Sequence, residues 1–213
     1  MVVDDRDMLA RVRAATALRR LGHGMVGHEV SPELLSTIAE TVESWLPSVE
    51  AGRGRSRSVE SMKRDHFARP AEGSPIGTFP DCVVSGDANP MGLDVQFFRE
   101  GDEAVSHAVL GSAFEGAPTR VHGGVVAAVF DDLMGFVLSI VESPAYTAEL
   151  TVRYRRPTPV NTEIEFRARL VSRRGRRLHI EAEATHANTV IAEASALFIT
   201  IPREKFEVRS ADG

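Results

Sequence analysis

Val121-His122-Gly123-Gly124-Val125-Val126-Ala127-Ala128-Val129-Phe130-Asp131-Asp132-Leu133-Met134-Gly135-Phe136-Val137-Leu138-Ser139-Ile140-Val141 is the stretch whose reading decides the fold. It is too long and too continuously apolar for a strand, and it suits a helix buried nearly all round. A membrane span needs roughly 20 almost uncharged apolar residues. Here Asp131 and Asp132 sit at the middle, where a charge costs most, so no membrane span is expected. A helix apolar on every side must be enclosed by other parts of the chain.

The flanking sequence offers strands for that purpose. Leu93, Val95 and Phe97 alternate with Asp94 and Gln96, which is the period of a strand. Residues 104–110 read as its partner across a turn at Gly101. After Pro144, Leu150, Val152 and Tyr154 alternate with polar neighbours, as do Ile164, Phe166, Ala168 and Leu170, and then Leu178, Ile180, Ala182 and Ala184. A last apolar run, 190–201, ends at Pro202. Gly175 and the segment 186–189 mark the turns between the later strands. No helix lies between them, which excludes a parallel doubly wound sheet. The expected class is α+β, with an antiparallel sheet wrapped around one long central helix.

The N-terminal part reads as helical. Met8, Leu9, Val12, Ala15 and Leu18 give one apolar face, and the glycines around His23 are expected to break it. Ser31-Pro32 opens a second helix with the stripe Leu34, Leu35, Ile38, Val42, Trp45 and Leu46, expected to end at Pro47. Residues 51–58 form a small, polar, basic linker, and 51–81 are expected to be mostly irregular. The division is an N-terminal helical extension and basic linker (1–60), a main domain (61–206) and a C-terminal tail (207–213). Two helices make a poor core, so the extension should pack on something else.

Composition bounds the function. The chain has 213 residues, a formal net charge of −5 and 43% hydrophobic residues, as in an ordinary soluble globular protein. The single cysteine, Cys82, excludes a disulfide framework and a cysteine-based metal site within the chain. Mild acidity argues against nucleic acid as a partner. Residues 1–7 lack the basic and apolar regions of a secretory signal, so a cytoplasmic location is expected. The histidines are scattered, no Gly-x-Ser-x-Gly elbow occurs and no phosphate-binding P-loop is present. Neither a metal nor a cofactor is expected.

Three features can carry chemistry. Gly123 and Gly124 after His122 allow close backbone approach at a helix start. The first turn there presents unpaired N–H groups to an oxygen that gains charge. Asp131 lies nine residues beyond His122 in an otherwise apolar helix, as a base or nucleophile would. Thr147 and Thr151 offer hydroxyls on the following strand, and Arg153, Arg155, Arg156, Arg173, Arg174, Arg176 and Arg177 offer phosphate contacts. Each also has a plain structural reading: a tightly packed loop, a mid-helix pair at solvent, a solvated basic face.

With that order of strands, glycine-headed helix and central aspartate, the chain resembles the PaaI-like hotdog-fold acyl-CoA thioesterases. The resemblance runs from about Asn89 to Phe206 and rests on His122-Gly123-Gly124 with Asp131. It is supported by 147–157, Asn89-Pro90-Met91-Gly92-Leu93 and Ile201-Pro202-Arg203-Glu204-Lys205-Phe206. It implies a hydrolase that cleaves acyl-CoA in a homodimer or homotetramer, with active sites at subunit interfaces. The Gly123 N–H, helped by Gly124, would polarise the thioester carbonyl, and His122 would shape the turn. Asp131 of the other subunit would activate water or attack, and Thr147 would steady the carboxylate or the water. Asn89, Arg155 and Arg156 would contact substrate. Many relatives carry an amide or His shortly before His-Gly-Gly, whereas Glu115-Gly116-Ala117-Pro118-Thr119-Arg120 has none, so Asn89 or His122 would take that place. A non-catalytic acyl-CoA-binding sensor or regulator on the same fold is the alternative, and a hotdog dehydratase ranks third.

Overall fold

The computed structural model describes residues 5–55, 69–77 and 79–201. The early part of the basic linker is inside that range. Its residues 56–58, the terminal motif beyond Ile201 and the tail 207–213 lie outside the described residues.

The elements are α1 (Asp5–Gly27), α2 (Pro32–Glu50), β1 (Phe98–Glu100), β2 (Glu103–Val109), β3 (Glu115–Ala117), β4 (Arg120–Val121), α3 (Gly123–Ile140), β5 (Ala145–Tyr154), β6 (Glu163–Arg174), β7 (Arg177–His186) and β8 (Thr189–Thr200). A single 3-10 turn, Ser112–Phe114, precedes β3. The main sheet has six strands in the order β1-β2-β6-β7-β8-β5, and every pairing is antiparallel. β3 and β4 form a separate two-stranded ribbon at the start of α3. The expected α+β architecture, an antiparallel sheet around one central helix, is the hotdog fold.

The sheet wraps α3 because one face of each long strand is apolar and the other polar. β7 alternates strictly, with Leu178, Ile180, Ala182 and Ala184 buried. Ala182, Ala184, Ala192, Ala194 and Ala196 supply small side chains to the buried face of β7 and β8, while α3 lies nearest β6 and β2. Against the sheet α3 buries Val126, Val129, Phe130, Leu133, Met134 and Val137. Phe130 meets Phe166 edge-on at 5.5 Å, and Phe97 packs on Phe136 at 4.8 Å. Burying each such large side chain is worth about 1.5–3 kcal/mol, and Phe130→Ala would cost about 3–5 kcal/mol through the cavity it leaves. Tight turns set the register: Gly101 and Gly175 adopt φ of 60° and 57°, and Ala187 and Asn188 adopt 48° and 59° between β7 and β8.

Three expectations need correction. α1 does not break at the glycines around His23 but runs on to Gly27. Glycine inside a helix costs about 1 kcal/mol, and here tertiary contacts offset it. His23 packs edge-on against Phe114 at 4.8 Å, and its Nδ1 accepts the Ala113 N–H at 3.0 Å. α2 does not end at Pro47 but continues to Glu50. The segment 93–97 is not a ladder strand, although Val95 and Phe97 are buried as the alternation implies. Asp94 takes a φ of 57°, and the Leu93 and Val95 N–H groups donate to Val83 and Val84 carbonyls in a neighbouring loop.

The extension is unevenly packed. α1 is held through buried Arg19, which donates to the Asp87 and Asn89 carbonyls at 2.9 and 2.7 Å and pairs with Asp94 at 2.7 Å. α2 buries no residue, and Trp45 and Val49 stand 56% and 72% exposed.

Candidate active site at the start of the central helix

The helix start is built by hydrogen bonds that fix its entry. The Val121 N–H donates to Thr158 O at 2.9 Å and the His122 N–H to Phe114 O at 2.8 Å. His122 is the N-cap, with φ −62° and ψ 132°. Its Nδ1 accepts the Gly124 N–H at 2.9 Å, and its carbonyl accepts the Val125 N–H at 2.9 Å. The Gly123 N–H is thereby left without a partner among the described residues. It points along the positive end of the helix dipole, which suits an oxygen gaining negative charge.

Two glycines are needed for close approach, not for unusual torsions. A Cβ on Gly123 would sit 3.2 Å from Tyr154 Cζ, and one on Gly124 would sit 3.0 Å from His122 Nδ1. Tyr154 Oη donates to the Gly123 carbonyl at 2.7 Å. Sequence reasoning passed over Tyr154 as a site residue. The available signal was its alternation with Leu150 and Val152, which puts it on their face of the strand that follows the helix.

A groove of about 530 Å³ opens beside this turn, lined by Gly116, Arg120, His122, Gly123, Tyr154, Arg155 and Arg156 among others. Arg155 and Arg156 line this groove, joined by Arg120. Arg155 also pairs with Glu193 at 2.7 Å. The rest of the arginine-rich stretch is elsewhere. Arg153 lies with Thr151, Arg167 and Glu183 at a separate depression on the sheet. Arg173 donates to Ser143 Oγ at 3.0 Å and Arg176 to Thr200 O at 3.1 Å, beyond the opposite end of α3.

The aspartate pair divides as the helical turn requires. Asp131 is exposed, and its Oδ1 accepts the Thr147 hydroxyl at 2.9 Å. A β-bulge makes this contact. The β5–β8 register slips between Thr147 and Glu149, so Thr147 shares the helix-facing side with Leu150, Val152 and Tyr154 instead of alternating away from it. Asp132 turns inward, where burial pushes its carboxyl above the usual carboxylate range, partly offset by the Ser85 hydroxyl and the Cys82 thiol. The Cys82 Sγ lies 3.7 Å from both Asp132 oxygens.

Asn89 is not among the groove's lining residues. Its side-chain amide donates to Asp81 O at 3.1 Å and its Oδ1 accepts the Met91 N–H at 2.9 Å, so it closes its own loop. Among the described residues, no group of three or more His, Cys, Asp and Glu is placed to hold a metal ion.

The fold and this helix start define the class: a hotdog domain with a free backbone donor at the head of its central helix. Residues 119–193 match the model of the thioesterase superfamily. The acyl-coenzyme A thioesterase THEM4 of Mus musculus is 33% identical over 97 residues, covering 45% of this chain and 42% of the mouse protein. That of Bos taurus is 27% identical over 124 residues, covering 56% of this chain and 51% of its own. The chain thus spans about half the length, or less, of these curated relatives. A thioesterase superfamily protein of solved structure superposes with a TM-score of 0.75 over 89% of this chain and 94% of its own, at 23% identity, which establishes the shared fold. The matched segment holds His122, Gly123, Asp131, Thr147 and Tyr154, and the fold is the hotdog fold shared with that solved structure.

Proposed function

We propose that the protein hydrolyses an acyl-CoA thioester to a free acid and CoA, in sites completed by two copies of the chain. The observation that carries this reading is the separation of two complementary half-sites. Gly123 and Asp131 are eight residues apart on one helix, about 12 Å along its axis at 1.5 Å per residue. A donor to the carbonyl oxygen and a base serving the carbonyl carbon must each lie about 3 Å from the reacting group. One helix cannot meet both demands for one thioester. Two antiparallel copies can, each presenting the Gly123 N–H to the substrate whose water is held by Asp131 of the other. β5 supports such pairing, since it is a ten-residue strand with one edge unpaired among the described residues, next to the exposed Asp131.

In this arrangement the thioester oxygen takes the Gly123 N–H, and Arg120, Arg155 and Arg156 face the CoA phosphates. The Thr147 hydroxyl occupies Asp131 Oδ1 and leaves Oδ2 for water. Asp131 takes a proton as the water oxygen adds to the carbonyl carbon. The tetrahedral intermediate then expels the CoA sulfur, which leaves with a proton. Direct attack by Asp131 would instead give a mixed anhydride that water hydrolyses. The test is a panel of acyl-CoAs assayed for free thiol. Wild type should turn over at least one of them, and Asp131→Ala should abolish it. Binding of acyl-CoA without turnover by wild type would replace this reading with the sensor.

A further inference from the structure

We propose that Tyr154 is a positioning residue of this site, clamping the Gly123–Gly124 peptide together with His122 so that the His122 Nε2–H becomes the second donor to the substrate oxygen. The inference rests on the thioesterase reading for its substrate, but its geometry stands apart from it.

The Gly123 carbonyl and the Gly124 N–H belong to a single peptide plane. Tyr154 Oη holds the carbonyl at 2.7 Å, and His122 Nδ1 holds the N–H at 2.9 Å. A plane held at both ends cannot rotate, and the adjoining peptide, which carries the Gly123 N–H, is fixed in turn by the Val125 N–H donating to the His122 carbonyl at 2.9 Å. The rings are confined as well. The Tyr154 ring lies against Gly123, and a Cβ on Gly116 would come within 2.8 Å of His122 Cδ2. Gly116 thus lets the imidazole lie close against the β3 backbone.

The tautomer follows from the partner. A backbone N–H can only donate, so His122 Nδ1 must accept and the neutral ring carries its proton on Nε2. No described group accepts that proton, and His122 is exposed at the groove beside Gly123. The segment 115–120 has no amide, and Asn89 is committed to its own loop. Among the described residues, the Nε2–H is an uncharged side-chain donor with no partner, set in the groove beside the Gly123 N–H.

Two variants and one spectrum test the clamp. Tyr154→Phe keeps the ring and removes one neutral hydrogen bond, so kcat should fall roughly fivefold to tenfold with KM for acyl-CoA nearly constant. His122→Asn keeps an acceptor for the Gly124 N–H and removes Nε2–H, so kcat should fall about 10²-fold with the fold intact. In wild type, ¹⁵N correlation spectra should show the His122 proton on Nε2, and Tyr154→Phe should shift the Gly124 amide resonance. A proton on Nδ1 of wild type, or an unchanged kcat in both variants, would overturn the proposal. If wild type hydrolyses no acyl-CoA, the thioesterase reading falls while the tautomer and amide shift still decide the clamp.

Discussion

Replacing Gly123 by proline removes one hydrogen atom's worth of chemistry from the site while leaving its frame in place. Proline has no N–H, and the Gly123 N–H has no partner among the described residues. The position is the first of α3, where proline is well tolerated. The residue before it, His122, already holds the extended backbone that a following proline demands, with ψ 132°. The added Cβ would lie 3.2 Å from Tyr154 Cζ, so the exposed ring must yield by a few tenths of an ångström. Gly123→Ala places the same Cβ there and keeps the N–H, which makes it the steric control. Loss of one preorganised oxyanion donor costs about 2.7–4 kcal/mol, or about 10²–10³ in kcat. Free-thiol release under saturating acyl-CoA should therefore fall by that factor in Gly123→Pro and by far less in Gly123→Ala. Equal losses in the two variants, or a kcat in Gly123→Pro within about threefold of wild type, would refute the assignment of this N–H.

Three further outcomes follow from the geometry. Thr147→Val should lower kcat about tenfold by freeing Asp131 Oδ1, and Thr147→Ser should restore most of it in the same thiol assay. Asp132 is held above its ordinary value of 3.8, so the folded state binds more protons and stability falls as pH rises from that value through the raised one. Asp132→Asn should then raise Tm at pH 7 and lose that gain below pH 3.8, as read by thermal unfolding across pH. His23 is held below 6.5 by burial and by Arg19, so its contribution is complete above that value and is lost as pH falls through the lowered one. Protection of the α1 amides, taken relative to the intrinsic exchange rate at each pH, should fall on acidification, and His23→Gln should flatten that dependence.

The central helix and the strands after it were legible, the helix from its length and continuous apolarity and the strands from their alternation. α3 is apolar on nearly every side, and β7 alternates without a fault, so hydrophobic burial alone sets both. What the sequence hid depends on contacts between distant residues. Gly22 and Gly24 look like breakers, yet α1 passes through them because His23 is anchored to Ala113 and Phe114. Pro47 looks like a stop, and α2 carries it in its last turn. Residues 93–97 alternate like a strand but spend backbone bonds on a loop. Within the site, His122, Gly123 and Asp131 were visible as an order along one helix. The pairing of Thr147 with Asp131 depends on a bulge that no periodicity announces. The clustering of Arg155 and Arg156, but not Arg173 or Arg176, at the groove depends on strand length and register.

The central claim is that a complete site draws the Gly123 N–H from one copy and Asp131 from another. Mixing inactive Gly123→Pro with inactive Asp131→Asn, under conditions that exchange subunits, tests it most directly. Equal mixing gives half mixed dimers, each with one intact site of two, so about a quarter of the wild-type rate should return. A mixture no more active than its separate components would contradict the account, because it would mean that both groups act within one chain.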